Sequence, residues 1–259
     1  MNILDKICSN KKKEINFDKS KCSFRTLEQL TKNEPNRGFN NLLIKKQNSK
    51  KNNIIAEMKK TSPSAGNIIK EYDPISIGYK YEKAGINALS ILTEKKYFEG
   101  DIEHISMVHK EVKLPILRKD FIIDPYQVIQ SKYYKADAIL IIMSIVSFEQ
   151  AKEILDVAKK YKIDCLLEVH NINEIEKALS LRNPTIGINN RNLNNLTVDL
   201  NNVKNLYKEI PDNYTVIAES GIKTKNDIDN YNKLGIYNFL IGESLLKSKN
   251  IIKKVQELI

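Results

Sequence analysis

Lysine and glutamate recur at one kind of place in this chain, the point where an apolar run stops. IIAEMKKTSPS (54–64) carries Glu57 and Lys59, and LPILRKDF (114–121) carries Lys119. LLEVH (166–170) carries Glu168, and VIAESGI (216–222) carries Glu219 and Ser220. An unpaired charge is costly to bury, so charges at the ends of several core-forming runs imply strands converging on one polar site. The residue types suit proton transfer. Lysine serves as a general acid, and glutamate as acid or base, once neighbours tune their proton affinities. Lys59 or Lys119 also has the chemistry for a Schiff base. Glu57 and Lys59 are alternate residues and point the same way along a strand. A structural pair at the rim is the competing explanation for those two. It is weaker for Lys119, whose preceding run is wholly apolar.

Other run ends add to the set. Ser62 and Ser64 follow the first run in a proline-containing loop. Ser90 and Thr93-Glu94 end the second, and Arg118, Asp120 and Phe121 surround Lys119. His170 follows Glu168, GINNRNL supplies Asn189 and Arg191, and IGES supplies Gly242, Glu243 and Ser244. The small-residue turns at Ser220-Gly221 and Gly242-Glu243-Ser244 read as an anion site. The second runs into a short helical segment, and free N–H groups at a helix start bind phosphate. The alternative is that these glycines only make tight turns. Phe121 suits either stacking on a flat ring or plain packing. His170 is expected to cap a strand end rather than to react.

From residue 53 onward, apolar runs near 53–58, 87–92, 114–118, 137–142, 163–169, 185–189, 214–218 and 237–241 alternate with segments of helical period such as 147–161, 171–180 and 224–233. Continuous apolarity fits strands covered on both faces. Ser147 with Gln150, and Asn171 with Glu174, have capping-box spacing, and Asp124-Pro125 pairs a cap with a first-turn proline. Eight strand–helix units make a (β/α)8 TIM barrel, whose chemistry sits at the C-terminal strand ends and whose phosphate site lies after strands seven and eight. The rival, an open doubly wound sheet, lacks any glycine-rich nucleotide loop after a strand. Residues 1–50 stand outside the repeat as an N-terminal helical extension, covering either the barrel's bottom or its top. The expectation is one barrel domain over 1–259.

Composition narrows the function classes. Hydrophobic residues at 41% supply a sizeable core, and charged residues at 29% are ordinary for a soluble protein. No run approaches the roughly 18 apolar residues of a membrane span, and the charged start does not resemble a secretory signal. A cytoplasmic location is expected. The net charge of +10 arises from scattered lysines, and the clusters KKK (11–13) and KKQNSKKNN (45–53) read as solvated faces, not a nucleic-acid site. Three cysteines without CxxC spacing, and three histidines without a paired motif, favour neither disulfides nor a metal.

Taken together, IIAEMKKTSPSAG, ALSILTEKKYFEG, LPILRKDFIIDPYQ, ADAILII, LLEVHN, IGINNRNL, VIAESGI and FLIGESLL, in that order, resemble the indole-3-glycerol phosphate synthase family over essentially the whole chain. The resemblance implies ring closure of 1-(2-carboxyphenylamino)-1-deoxyribulose 5-phosphate with loss of carbon dioxide and water, in tryptophan biosynthesis, without metal or organic cofactor. It implies that Lys119 is the general acid, that Glu168 is the acid/base group of the dehydration, and that Lys59 holds the anthranilate carboxylate. Glu57 would orient the lysines and Asn189 would position Glu168. Arg191 would bind near the carboxylate, Glu219 would meet the sugar hydroxyls and Phe121 would wall the ring. Ser62, Ser220, Gly221, Gly242, Glu243 and Ser244 would cradle the phosphate. It also implies an N-terminal extension near the active site. Ala65 stands where members often carry lysine, and Met143 and Ser144 stand where aliphatic residues are common, a difference that would fall on the ring pocket. A monomer is the simplest expectation, with a weak dimer as the alternative.

Three other readings compete. A phosphate-binding isomerase with a Cys/Asp pair is disfavoured, because Cys8 and Cys22 precede the first strand and Cys165 is mid-strand. A Schiff-base aldolase would be trapped on Lys59 or Lys119 by borohydride. A nucleic-acid-binding protein would show strongly salt-dependent binding.

Overall fold

The computed structural model describes residues 3–31, 35–193 and 195–259. Three helices come first, α1 (Ile3–Lys21), α2 (Phe24–Leu30) and α3 (Phe39–Asn48). Strand β1 (Asn53–Met58) leads into a small hairpin of β2 (Thr61–Ser62) and β3 (Gly66–Asn67), then α4 (Pro74–Lys83). There follow β4 (Ala88–Leu92), α5 (Lys95–Phe98), α6 (Glu103–Glu111), β5 (Ile116–Lys119), α7 (Tyr126–Tyr133), β6 (Ala138–Ile142), α8 (Phe148–Lys160), β7 (Asp164–Val169) and α9 (Ile172–Ser180). The chain ends with β8 (Thr185–Asn189), α10 (Asn201–Leu206), β9 (Thr215–Glu219), α11 (Lys225–Asn232), β10 (Asn238–Ile241), α12 (Glu243–Leu246) and α13 (Ile251–Leu258). All eight long strands are parallel, and β1 closes the ring by pairing with both β4 and β10. This is the expected (β/α)8 barrel.

The unbroken apolarity of the strands follows from that closure. Alternate residues divide between two clusters. Ile55, Ala88, Leu117, Leu140, Leu166, Ile217 and Leu240 fill the interior. Ile54, Leu89, Ile116, Ile139, Leu167, Val216 and Phe239 pack outward under the helices. Only where the interior rows reach the C-terminal rim do carboxylates and ammonium groups replace aliphatic side chains.

Local signals set the helix starts. Ser147 and Gln150 form both arms of a capping box on α8. At α9 only one arm forms. Asn171 accepts from the Glu174 N–H at 3.1 Å, but the Glu174 carboxylate turns to the His170 N–H at 2.8 Å and the Asn171 amide at 2.6 Å. Asp124 accepts from the Tyr126 N–H at 2.8 Å, beside Pro125.

The first fifty residues serve both ends of the barrel. Helix α1 lies at the C-terminal rim, where Ile7 joins the interior cluster with Phe121 and Ile142. Helix α2 runs down the flank against α7, and the Tyr126 hydroxyl donates to the Cys22 carbonyl at 2.9 Å. Helix α3 plugs the opposite end. Its Phe39 and Leu43 enter the interior cluster, and its Asn40 N–H donates to Asp164 at 2.9 Å, at the start of β7. Thr185 donates to the Asn40 side chain and Asn238 to the Leu43 carbonyl. Top and bottom were alternatives in the sequence, and the resemblance favoured the active-site end; the extension occupies both.

The cluster at 11–13 corrects a second expectation. Lys12 and Lys13 are exposed, but Lys11 is only 2% exposed. Its ammonium lies 3.0 Å from Asp120 and 2.9 Å from Glu14. One lysine of the three faces the core because α1 rests on the barrel along that row.

Candidate active site

The C-terminal rim encloses a cavity of about 930 Å³. Glu57, Lys59, Lys119, Phe121, Glu168, Asn189, Arg191, Glu219, Ser220, Gly221, Gly242, Glu243 and Ser244 all line it. Every residue to which the resemblance gives a role is therefore here except Ser62. That serine sits in the β2–β3 hairpin, nearly buried, with its hydroxyl accepting from the Ala65 N–H at 3.2 Å. Proline and glycine turn the hairpin over the rim and close it on itself.

Lys119 is the centre of the charge arrangement. Its ammonium donates to Glu168 at 2.6 Å and to Glu219 at 3.0 Å. Burial opposes the charge on Lys119, but the two carboxylates outweigh burial and hold it above the ordinary lysine range. Lys59 is itself paired with Glu57, and the carboxylates dominate.

The two partners of Lys119 differ. Glu168 also faces the Asn189 amide, donating at 3.0 Å, and the His170 ring at 3.2 Å. Burial raises its proton affinity, yet Lys119 and His170 overcome this and keep it ionised. Glu219 shares only Lys119, and its other oxygen is buried without a partner. Burial and the neighbouring Glu168 push its carboxyl up to about 8. One lysine thus stands between a carboxylate held firmly charged and one whose proton affinity is raised. Such divergent pairs mark acid–base assignments.

His170 bridges Glu168 and Glu174, the latter at 3.0 Å. Burial lowers its proton affinity, but both carboxylates raise it, to about 9. It opens onto a second recess of about 710 Å³ under α1 that shares Arg191 with the main cavity. Arg191 is aimed by its own loop, its guanidinium donating to the Leu196 carbonyl at 2.8 Å.

Several rim residues belong elsewhere. Arg118 points outward and binds Asp120, Thr93, Gln130 and Ser131. Asp120, which lines the cavity wall, also takes the Thr93 hydroxyl at 2.6 Å and faces Lys11. Ser90 is buried in mid-strand, and Glu94 caps α5. Met143 packs in the outer cluster and Ser144 lines the second recess, so neither touches the main cavity expected for them.

At the other end of the cavity, Ser220 and Gly221 adopt left-handed backbone, with φ of 67° and 83°. The Ser244 hydroxyl ties this turn to the next by donating to the Ile222 carbonyl at 3.0 Å. Lys223, Lys247 and Lys254 face the same end. The sequence reading missed these three lysines. Their scattered positions gave no motif, and only the folding of α11, α12 and α13 toward one end gathers them. Among the described residues no group of three or more histidine, cysteine, aspartate or glutamate side chains is placed to hold a metal ion.

A closed parallel barrel with lysine–carboxylate pairs at its C-terminal rim and a basic recess beyond β9 and β10 defines a TIM-barrel enzyme. The barrel resembles 3-hexulose-6-phosphate synthase, with a TM-score of 0.65 at 11% identity over 80% of this chain and 97% of that one, a likeness of fold. The family model for indole-3-glycerol phosphate synthase matches residues 4–258. The chain is 40% identical to the indole-3-glycerol phosphate synthase of Zymomonas mobilis subsp. pomaceae, over all of this chain and 98% of that one. It is 42% identical to that of Caldanaerobacter subterraneus subsp. tengcongensis, over 98% and 99%. The chain belongs to the indole-3-glycerol phosphate synthase family, a family of lyases.

Proposed function

We propose that the chain converts 1-(2-carboxyphenylamino)-1-deoxyribulose 5-phosphate to indole-3-glycerol phosphate, carbon dioxide and water, as a step of tryptophan biosynthesis in the cytoplasm. The observation that carries the reading is Lys119, an ammonium clamped between two carboxylates of opposite proton affinity inside a cavity with an aromatic wall at one end and lysines at the other.

The ring carbon bearing the carboxylate attacks the ketone carbon. The ketone oxygen gains charge as the bond forms and takes a proton from Lys119, which the carboxylates keep charged until that moment. The bond to the carboxylate then breaks, carbon dioxide leaves, and its electrons restore the aromatic ring. Finally the new hydroxyl takes a second proton, from the Lys59 ammonium, and departs as water, while Glu168, ionised and held by Asn189, takes the proton from the methylene beside nitrogen. Lys59, oriented by Glu57, and Arg191 hold the substrate carboxylate, and Phe121 packs on the anthranilate ring. Glu219 meets the sugar hydroxyls. The N–H groups of Gly221, Gly242, Glu243 and Ser244, with the Ser220 side chain, receive the phosphate, supported by the basic recess. No metal or organic cofactor, nucleic acid or membrane takes part.

Addition of the anilino-deoxyribulose phosphate to the purified protein should produce the fluorescence of the indole product. A protein that stays dark with this substrate while folded would refute the reading.

A further inference from the structure

Glu219 reaches Lys119 across the interior of the barrel, and its path crosses strand β8 at Gly187. An ideal Cβ on Gly187 would stand 2.1 Å from Glu219 Oε1 and 3.2 Å from its Cδ, with Leu166 Cδ1 at 3.4 Å. Carbon and oxygen do not approach to 2.1 Å without a bond, so no other residue is compatible with this position of the carboxylate. The same oxygen has no hydrogen-bond partner. It is held by the shape beneath it, while Oε2 alone is fixed, by Lys119 at 3.0 Å. Gly187 is not a turn residue. It lies in mid-strand, fully paired in register with Ile217, and its φ is not positive. Glycine in the interior of a strand costs stability, and here the space of the missing side chain is taken by the carboxylate. Gly242 repeats the device on the other side, where a Cβ would come within 2.8 Å of Glu57 Oε1.

We infer that Gly187 is a positioning residue of the active site, a bare stretch of backbone that seats Glu219 so that its carboxylate meets Lys119 and the sugar. The inference rests on the proposed reaction for its readout and on the geometry for its substance. The clash of a methyl group here is with the far end of a flexible side chain, not with backbone. Gly187→Ala therefore leaves the fold intact and displaces the carboxylate by about an ångström, a misplacement that can cost on the order of 100-fold in rate.

The test is a set of four proteins: the parent, Gly187→Ala, Glu219→Asp and the double variant, assayed for indole-product formation as a function of pH. Aspartate is one methylene shorter and leaves room for the new methyl. Glu219→Asp should lower kcat/KM in the parent and raise it in the Gly187→Ala background. Gly187→Ala should also move the alkaline limb of the profile to lower pH, because Lys119 loses contact with Glu219, which is anionic on that limb. If Gly187→Ala has unchanged activity and profile, or if Glu219→Asp is equally harmful in both backgrounds, the inference is overturned. Should Gly187→Ala melt far below the parent, it is repeated with Glu219→Ala. The clash predicts that its destabilisation disappears there, and a destabilisation that persists would also overturn the inference. A parent that makes no indole product fails the reaction and leaves the seat to be judged by the melting comparison alone.

Discussion

Replacing Lys11 with methionine is expected to destabilise the protein far more than its place in a run of three lysines suggests. Methionine keeps an unbranched stem and removes only the ammonium. Lys11 is 2% exposed, and Asp120, 3.0 Å away, is equally buried. Removing one partner of a buried ion pair costs about 3–5 kcal/mol, because the other charge is left uncompensated. Asp120 keeps Arg118 at 2.9 Å, the Thr93 hydroxyl at 2.6 Å and the Phe121 N–H at 2.8 Å. Those contacts place the loss at the low end, about 3 kcal/mol. For a chain of this size that lowers Tm by roughly 6–12 °C. Lys12→Met and Lys13→Met, on the exposed face, should stay within about 0.5 kcal/mol of the parent. The pH dependence is also fixed in sign. Burial opposes both charges, but their partners outweigh it, holding Asp120 below the usual carboxylate range and Lys11 above the usual lysine range. Stabilisation by Asp120 is present above the ordinary carboxylate range and lost as pH falls beneath it. That by Lys11 is present below the ordinary lysine range and lost as pH rises beyond it. The deficit of Lys11→Met should therefore be constant from about pH 5 to pH 9. Circular dichroism melts of the three single variants decide the matter. A Lys11→Met protein that melts with the other two would show that α1 is not anchored by this pair.

Three further outcomes are expected. Lys119→Ala should lower kcat for indole-product formation by at least about 100-fold, as loss of a general acid does, while inorganic phosphate binds nearly as before by calorimetry; near-normal turnover would sink the assignment. His170, raised to about 9, contributes stability that is full below the ordinary histidine range and is lost as pH rises through about 9. The urea-unfolding gap between the parent and His170→Asn should accordingly shrink by about 3 kcal/mol between pH 6 and pH 10, and a gap of equal size at both would contradict it. Leu43→Ala in the floor should cost about 2–5 kcal/mol yet leave kcat of the folded protein unchanged, since Leu43 is at the end away from the cavity; a matching loss of kcat would refute that separation.

The strands were legible because parallel strands buried on both faces leave continuous apolar runs, and the rim was legible because charges interrupt those runs only at one end. Lys119, Glu168 and Glu219 could be found that way. Their pairing could not, since Glu168 and Glu219 lie 49 and 100 positions from the lysine they share. Lys11 was hidden for a similar reason, as its partner Asp120 lies far along the chain and its neighbours are solvated. Gly187 carries no signal at all in a strand that reads TIGIN, because its function is the absence of a side chain. The place of Ser62 was not legible either, since only the folded hairpin shows it turned onto the Ala65 N–H. Met143 misled through the period of two, since one step along the strand moves a side chain from the interior to the outer layer.

Helix α3 is made early and used late. Its contacts reach Thr185, Gly235 and Asn238, at separations of 145 to 195 positions. A nascent chain emerges N-terminal end first, so Phe39 and Leu43 leave the ribosome long before β10 exists to receive them. Until then the helix has no floor to plug. Non-local contacts of this kind make folding slow, and the ring cannot be sealed from below until nearly the whole chain has been synthesised.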